Sequence, residues 1–258
     1  MSRVDRTQSA AGIAPECHLL VDTSGEQLLL GLVAQGILIV SERQESLRPI
    51  EAISLEVKDL VNRMNLEVSS ISSVGVVVGP GSMAGLRVGV TFSKAFSYAL
   101  GCRIVPLFSH EVIANIYAKN SDPVVVLRRV RKQEAFGAIC ARGPLGLKTL
   151  SGPVVLGPNQ LIPWLDDSNL TGTSPLVVSD RAPSQVLAED YGGDVVDFYL
   201  PAMRRETCES MWQLMSARPT GESLTSHAEV AISYVRGADT RVSYQRLNST
   251  GDLEWVKD

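Results

Sequence analysis

A glycine-rich turn at residues 79–82 is the segment whose residue types and spacing could bind an anion. It reads Gly79-Pro80-Gly81-Ser82 and stands between an apolar run and a helical pattern. A strand, a glycine turn and a helix start together present backbone N–H groups to phosphates. The Gly-x-x-x-x-Gly-Lys-Ser/Thr spacing of a P-loop is missing, however, and no lysine follows Ser82 closely enough to contact a phosphate.

The same turn also has a structural interpretation. Gly81, Gly85 and Gly89 recur every four residues and therefore share one face of the predicted helix. Because glycine has no Cβ, such a face lets a helix approach the neighbouring backbone closely. We favour this structural interpretation over a phosphate cradle.

Other residues that could do chemistry are few and scattered. The chain has three histidines, His18, His110 and His227. No Ser-His-Asp, Cys-His or paired-carboxylate arrangement follows from the spacing. Four cysteines form no CxxC pair, so neither a disulfide framework nor a zinc site is expected. We predict no catalytic residues and no metal ligands in this chain.

Composition and charge describe a globular chain without a strongly basic surface. Of its 258 residues, 45% are apolar and 20% are charged, and the formal net charge is −4. A protein whose main surface binds a phosphate backbone needs a concentration of Lys and Arg. The densest basic run, Arg128–Lys132, lies among strand-like residues, and we interpret it as a solvated hairpin rather than an RNA-binding patch.

The sequence contains no segment expected to enter a membrane. No apolar run approaches the roughly 20 residues needed to cross a bilayer. Residues 1–16 are polar and small, without the apolar core of a secretory signal, and we predict that they form a disordered extension. A cytoplasmic location follows as the expectation.

The first part of the chain predicts an antiparallel meander and a helix. Short turns join three strand-like runs, which are His18–Asp22, Gln27–Ala34 and Ile37–Ser41. Apolar residues then recur at helical spacing over residues 47–64.

Parallel crossovers are predicted next. Val74–Val78 is apolar throughout, which is typical of a strand buried on both faces. The helix that follows ends at Gly101, a residue suited to the left-handed conformation at a helix end. A short strand, Arg103–Leu107, leads to a third helix that begins near Ser109. The order β-β-β-α-β-α-β-α describes a meander followed by parallel crossovers.

The rest of the chain has a less regular pattern. We predict strands at Val124–Leu127, Ala135–Cys140, Leu176–Ser179 and Val195–Asp197. Helices are predicted from Ser184 to about Tyr191 and from about Ala202 to Ala217, before the segment Ala228–Tyr234 and a polar tail. We divide the chain into an extension (1–16), a first lobe (17–108) and a second, degenerate lobe with a C-terminal helix and tail (109–258).

Three segments carry a resemblance to a known family. Residues 76–89 read Val-Val-Val-Gly-Pro-Gly-Ser-Met-Ala-Gly-Leu-Arg-Val-Gly. They resemble the signature of the TsaB (YeaZ) family, usually Gly-Pro-Gly-Ser-Phe-Thr-Gly-Leu/Val-Arg-Ile-Gly. Leu20–Ser24 looks like the family's opening Ile-Asp-Thr-Ser, and Ser233–Arg236 looks like its Tyr-Leu-Arg segment. The signature residues here are Gly79, Pro80, Gly81, Ser82, Gly85, Arg87 and Gly89.

The resemblance implies a fold and a role. It implies an α/β fold with two lobes of the actin-like ATPase type (ASKHA, RNase H-like), each a mixed sheet with flanking helices. It also implies a part in making N6-threonylcarbamoyladenosine at position 37 of tRNA. In that family the protein is a non-catalytic subunit that dimerises with the catalytic paralogue TsaD, which a small ATPase, TsaE, joins. ATP and metal are then expected on the partner, with no cofactor bound tightly by this chain.

Four positions depart from the family or from its catalytic relative. Met83 and Ala84 replace the signature's Phe and Thr, and Arg129 stands where the family often has Asp. The catalytic relative binds a metal through two histidines at i and i+4, on the helix that follows the strand matching Arg103–Leu107. Here His110 is present but Ala114 occupies the second position, so we interpret His110 as a first-turn residue rather than a ligand.

Relatives of this fold place a phosphate-contacting hairpin where Asp22, Thr23 and Ser24 lie. These residues are candidates for a vestigial nucleotide or metal site. The alternative, which we favour, is that Asp22 ends a strand and caps the following turn.

The helix after the glycine turn is a candidate interface. Its polar positions Arg87, Thr91, Lys94 and Tyr98 form one narrow stripe, and the remaining residues are small or apolar. A helix that packs only on a sheet shows a wider polar face. The excess predicts a second packed surface, either a neighbouring helix or another subunit.

The resemblance, together with the missing second histidine at Ala114, implies an accessory subunit that binds and activates a TsaD-like protein, with a TsaE-like ATPase as a further partner. We expect a homodimer when the chain is alone, and contact with tRNA only through the complex. Two alternatives stay open. One is an ATP-dependent enzyme of the same fold, a kinase or carbamoyltransferase, and the other is a homodimeric scaffold with a different partner.

Overall fold

The computed structural model describes most of the chain. The described residues are 16–41, 49–119, 122–170, 175–182, 184–187, 191–200, 202–218, 229–235, 243–247 and 253–257. The predicted disordered extension, 1–16, lies outside this part of the chain except for its last residue.

The first sheet has five strands in the order β3-β2-β1-β4-β5. β1 pairs antiparallel with β2 and β2 with β3, whereas β1, β4 and β5 run parallel. The predicted meander with parallel crossovers is confirmed. The strands are β1 (Cys17–Asp22), β2 (Leu29–Ala34), β3 (Ile37–Val40), β4 (Ile71–Gly79) and β5 (Arg103–Phe108), and the helices are α1 (Pro49–Arg63), α2 (Met83–Leu100) and α3 (Ser109–Tyr117).

Helix α2 has the ends that the sequence predicts. The hydroxyl oxygen of Ser82 accepts a hydrogen bond from the Gly85 N–H at 3.3 Å, which caps the first turn. At the other end, Gly101 adopts a φ of 64°, a conformation that favours glycine, and its N–H bonds back to the last turn.

The second sheet also has five strands, in the order β10-β9-β6-β7-β8. β6, β7 and β8 form an antiparallel meander, while β9 pairs in parallel with β6 and β10 pairs in parallel with β9. The elements are β6 (Val124–Arg131), β7 (Glu134–Gly143), β8 (Gly146–Leu156), α4 (Leu161–Asp167), β9 (Leu176–Asp180), α5 (Ser184–Leu187), β10 (Val195–Asp197) and α6 (Arg204–Ser216).

Several elements of this half differ from the prediction. β8 and α4 were not predicted, because β8 is an edge strand whose side chains alternate between half-buried and exposed, and α4 has only seven residues. The helix predicted to reach Tyr191 is described only to Leu187. The predicted polar tail contains a two-stranded antiparallel hairpin, β11 (Ser243–Leu247) and β12 (Leu253–Lys257).

The two sheets and their helices form alternating layers. On one face of the first sheet lie α1 and α2, and on the other lie α3 and α6. The outer face of the second sheet is covered by α4 and α5. Helix α3 lies between the sheets, because Val112 packs into the core of the first sheet while Ile113 and Ala114 pack into that of the second. Since both faces of the central strands are covered, β1 and β2 are buried along their whole lengths.

Candidate functional site

The glycine turn joins β4 to α2 beside the end of β1. The Ser82 N–H donates to the Ser24 carbonyl at 2.7 Å, and the Thr23 hydroxyl donates to the Gly85 carbonyl at 2.7 Å. A Cβ at Gly81 would stand 2.5 Å from the Ser24 carbonyl oxygen, and one at Gly85 or Gly89 would come still closer to Thr23. The structural interpretation of these glycines is therefore confirmed, since side chains there would displace α2 from β1.

The segment Asp22–Ser24 is held by bonds within the protein. An Asp22 carboxylate oxygen accepts the Ser24 N–H at 2.7 Å, and both residues are buried. Asp22 thus ends β1 and caps the turn, as expected. A role for Asp22, Thr23 and Ser24 with nucleotide or metal stays a prediction.

Arg128 corrects the interpretation of the basic run. Arg128 is only 7% exposed, and its Nε donates to an Asp180 carboxylate oxygen at 2.8 Å. Its Nη1 donates to the Ser24 hydroxyl and to the Pro80 carbonyl, each at 3.0 Å. Arg128 therefore ties the second sheet to the glycine turn of the first. Describing the whole run as a solvated hairpin was wrong, because Arg128 belongs to the buried stretch of β6 whereas Arg129, Arg131 and Lys132 are exposed.

His110 occupies the second position of α3, as predicted, and it is buried. Its Nε2 lies 3.1 Å from the Thr149 hydroxyl, which in turn donates to a Glu111 carboxylate oxygen at 3.1 Å. Its Nδ1 is buried without a hydrogen-bond partner in the described part of the chain. Burial, with the charge of Arg128 as the second cause, lowers the pKa of His110 to about 4, so the ring is neutral at physiological pH.

No metal centre forms around His110 among the described residues. Position 114, one helical turn later, is a fully buried alanine in the core of the second sheet. Within the same residues, no three His, Cys, Asp or Glu side chains are grouped so that they could hold a metal ion. Burial also raises the pKa of Glu111 and raises that of the Cys140 thiol to about 12, which keeps the thiol protonated.

The outward face of α2 combines small, apolar and polar residues. Tyr98 is 73% exposed, and Arg87 and Thr91 are exposed along the same stripe. Lys94 turns away from the stripe, since its ammonium donates to the Val230 carbonyl at 3.1 Å. We use the name α2 outer face for six exposed residues of this helix, which are Ala84, Arg87, Thr91, Ala95, Tyr98 and Ala99.

Part of the apolar excess of α2 is used inside the protein. Phe92 and Phe96 are half-buried and pack against the core shared with α1. The neighbouring helix therefore accounts for these residues, whereas the residues of the α2 outer face are exposed. Whether Arg87, Thr91, Lys94 and Tyr98 contact another subunit stays a prediction.

A cleft of about 840 Å³ opens between the two halves of the molecule. Its walls come from the glycine turn, the β6–β7 hairpin, the end of β9, residues 198–200 and residues 233–235. The last segment is held in place because the Ser233 N–H donates to the Val78 carbonyl at 2.9 Å and Val230 is buried in the first core. Sequence reasoning missed this cleft, since its walls are distant in sequence and share no motif.

Comparisons with known proteins agree on the fold. A crystal structure of a Pseudomonas aeruginosa protein with similarity to the peptidase YeaZ covers 86% of this chain and 100% of its own, with a TM-score of 0.70 and 17% identity. The chain has the fold of YeaZ proteins. YeaZ from Pseudomonas aeruginosa itself superimposes with a TM-score of 0.60 and 15% identity over 78% of this chain and 92% of its own. The predicted two-lobed α/β fold is thus confirmed.

Sequence comparisons point to the same group of proteins. Residues 46–153 match the family model of TsaD, tRNA N6-adenosine threonylcarbamoyltransferase. The tRNA threonylcarbamoyladenosine biosynthesis protein TsaB of Bacillus subtilis is 30% identical over 101 residues, which are 37% of this chain and 42% of that protein. The tRNA N6-adenosine threonylcarbamoyltransferase of Pyrobaculum calidifontis is 28% identical over 44% of this chain and 38% of its own length. The resemblance to the TsaB (YeaZ) family is confirmed, and the match spans less than half the length of these relatives.

The described helices give no sign of a membrane segment. None of them is both long enough and apolar enough to cross a bilayer.

Proposed function

We propose that this chain is a cytoplasmic, non-catalytic subunit in the synthesis of N6-threonylcarbamoyladenosine in tRNA, where it binds and activates a TsaD-like catalytic relative. The observation that carries the proposal is the α2 outer face, an exposed surface of the first half that is rich in small residues. The similarity to Bacillus subtilis TsaB supports a role of this chain in that biosynthesis.

The α2 outer face has the composition of a helix-packing surface. Alanines at positions 84, 95 and 99 allow close approach of another backbone, and Tyr98 offers an aromatic anchor that is 73% exposed. On helix α1, Leu55 is a second large apolar side chain of the first half that is 59% exposed. Exposed aromatic and apolar side chains among small residues are typical of a surface that packs against a helix of another subunit.

The proposed division of labour places the chemistry on the partner. Ala114 cannot bind a metal with His110, and the Asp22 carboxylate caps a turn. We therefore assign ATP and metal to the TsaD-like partner, with no tightly bound cofactor in this chain. A TsaE-like ATPase completes the complex, tRNA joins through it, and the isolated chain forms a homodimer through the same α2 outer face.

The test is co-purification of this chain with its organism's TsaD-like protein. Ala95→Glu and Tyr98→Glu each place an unpaired carboxylate in the proposed interface and should abolish the complex. Ala217→Glu, an exposed position just after α6, is the matched control and should leave it intact. The absence of a complex for the unmodified chain, at micromolar concentration and in every nucleotide state, would count against the proposal.

An enzyme of the same fold is the second candidate. It is favoured by the match of residues 46–153 to a family of threonylcarbamoyltransferases. Calorimetry with Mg-ATP separates the two, because an enzyme binds nucleotide and turns it over without a partner. A homodimeric scaffold with a different partner is separated by deleting the gene, since modified adenosine in tRNA would then be unchanged.

A further inference from the structure

The cleft between the two halves carries a concentration of positive charge. Five arginines line it against two acidic residues, Glu26 and Asp180, which leaves a net of three positive charges. The whole chain, by contrast, carries a formal net charge of −4. The cleft is therefore a basic region on an acidic protein, and such a region attracts anions.

Two of the five arginines are neutralised locally. Arg128 pairs with Asp180 at 2.8 Å, and Arg181 pairs with Glu26 at 2.5 Å. The remaining three, Arg87, Arg129 and Arg131, are exposed and form no ion pair with any described residue. They come from α2 and from the end of β6, so they face the same space from different elements.

Aromatic side chains line the same cleft. Tyr199 and Tyr234 are each 55% exposed, and Phe136 is half-buried on the β6–β7 hairpin. Exposed rings beside unpaired guanidinium groups form the combination on which proteins stack unpaired bases while holding phosphates.

We propose that this cleft binds a stretch of single-stranded nucleic acid, with phosphates on Arg129 and Arg131 and a base stacked on Tyr199. The cleft volume of about 840 Å³ lies in the range of small-ligand pockets, which suits individual nucleotides and is too small for a duplex. An acidic peptide would engage the arginines but would gain little from the tyrosines. The proposal goes beyond the proposed function, in which tRNA joins through the complex, because here the chain itself makes a direct contact.

The test is fluorescence anisotropy of labelled oligo(rA) with the isolated chain over a range of salt concentrations. The double variant Arg129→Gln/Arg131→Gln should bind more weakly, and its plot of log affinity against log salt should be shallower by about 1.4, since each phosphate contact on a single strand contributes about 0.7. Tyr199→Ala should lower the affinity about tenfold with an unchanged salt slope, because it removes stacking rather than charge. Tyr199→Phe keeps the ring and should restore binding.

The controls separate local contacts from total charge and from misfolding. Arg205→Gln/Arg218→Gln removes the same charge from exposed positions in and after α6, outside the cleft, and should leave the affinity unchanged. Each variant should retain the circular dichroism spectrum and melting temperature of the parent.

Three outcomes overturn the proposal: no binding of oligo(rA) at low salt, equal loss in the control pair, or full competition by oligoglutamate with no effect of Tyr199→Ala. The last would identify the ligand as an acidic peptide. Because TsaD is absent from this assay, a negative result leaves co-purification with TsaD unaffected, and the two proposals fail separately.

Discussion

The two sides of helix α2 differ in what their small residues do. On the inner side, Gly85 and Gly89 lie so close to Thr23 that no side chain fits. On the α2 outer face, residues such as Ala95 are exposed. The comparison teaches that a stripe of small residues can serve packing within a chain or contact with another chain, and that only burial separates the two uses. Substitutions at such buried contacts should cost far more stability than substitutions at exposed positions.

Gly85→Ala should cause the largest loss. Alanine normally stabilises a helix relative to glycine by about 1 kcal/mol. At Gly85, however, the added Cβ would overlap the Thr23 carbonyl, and we expect the free energy of unfolding to fall by more than about 3 kcal/mol. Urea denaturation measures the change.

The matched control for Gly85→Ala is Ala95→Gly on the α2 outer face, which should cost only about 0.5–1 kcal/mol through helix propensity. Equal losses at the two positions would contradict the contrast between the two sides of α2.

Arg128→Met should rank second. It removes the ion pair with Asp180 and the bonds to Ser24 and Pro80, and it leaves a carboxylate unpaired. We expect a loss of about 3 kcal/mol in the free energy of unfolding. Adding Asp180→Asn removes the unpaired charge and should recover part of the loss.

The exposed neighbour Arg129 provides the control for Arg128. Arg129→Met should change stability by less than about 0.5 kcal/mol. A large effect at Arg129 would mean that the basic run acts as one unit.

His110 should make stability depend on pH. Its folded-state pKa of about 4 lies below its unfolded value, so the unfolded chain binds the proton more readily. The contribution of His110 to the free energy of unfolding is present in full above about pH 6.5. It is lost as the pH falls towards 4, and the loss amounts to at most about 3 kcal/mol. The measurement is the free energy of unfolding from pH 7 to pH 4.

His110→Gln keeps a donor for Thr149 and should remove this pH dependence. The raised pKa of Glu111 acts in the opposite direction in the same range, so the difference between parent and variant is the quantity to compare. Parallel pH profiles for the two proteins would show that His110 is not held neutral.

Ala95→Glu should have the smallest effect on stability, below about 0.5 kcal/mol, because the position is exposed. Size-exclusion chromatography should nevertheless show a shift from dimer to monomer. A variant that stays dimeric would place the homodimer contact elsewhere.

Most of the first half could be predicted from the sequence. Val74–Val78 is apolar because both faces of β4 are covered, and the limits of α2 follow from Ser82 and Gly101. The second half was harder, since β8 is a half-exposed edge strand without an apolar run. Arg128 was wrongly predicted to be solvated, because a charged residue in a basic run normally is. Its partner Asp180 is distant in sequence and gave no signal.

The sequence by itself determined the glycine turn, the helix that it begins and the absence of a second histidine at Ala114. These are local features, set by backbone freedom and helical period. Only the tertiary structure decided which side of α2 is covered, that Arg128 joins the two halves, and that Arg87, Arg129 and Arg131 share one cleft with Tyr199. The physical reason is that burial and charge density depend on residues brought together from separate strands and helices, and their spacing along the chain does not encode those distances.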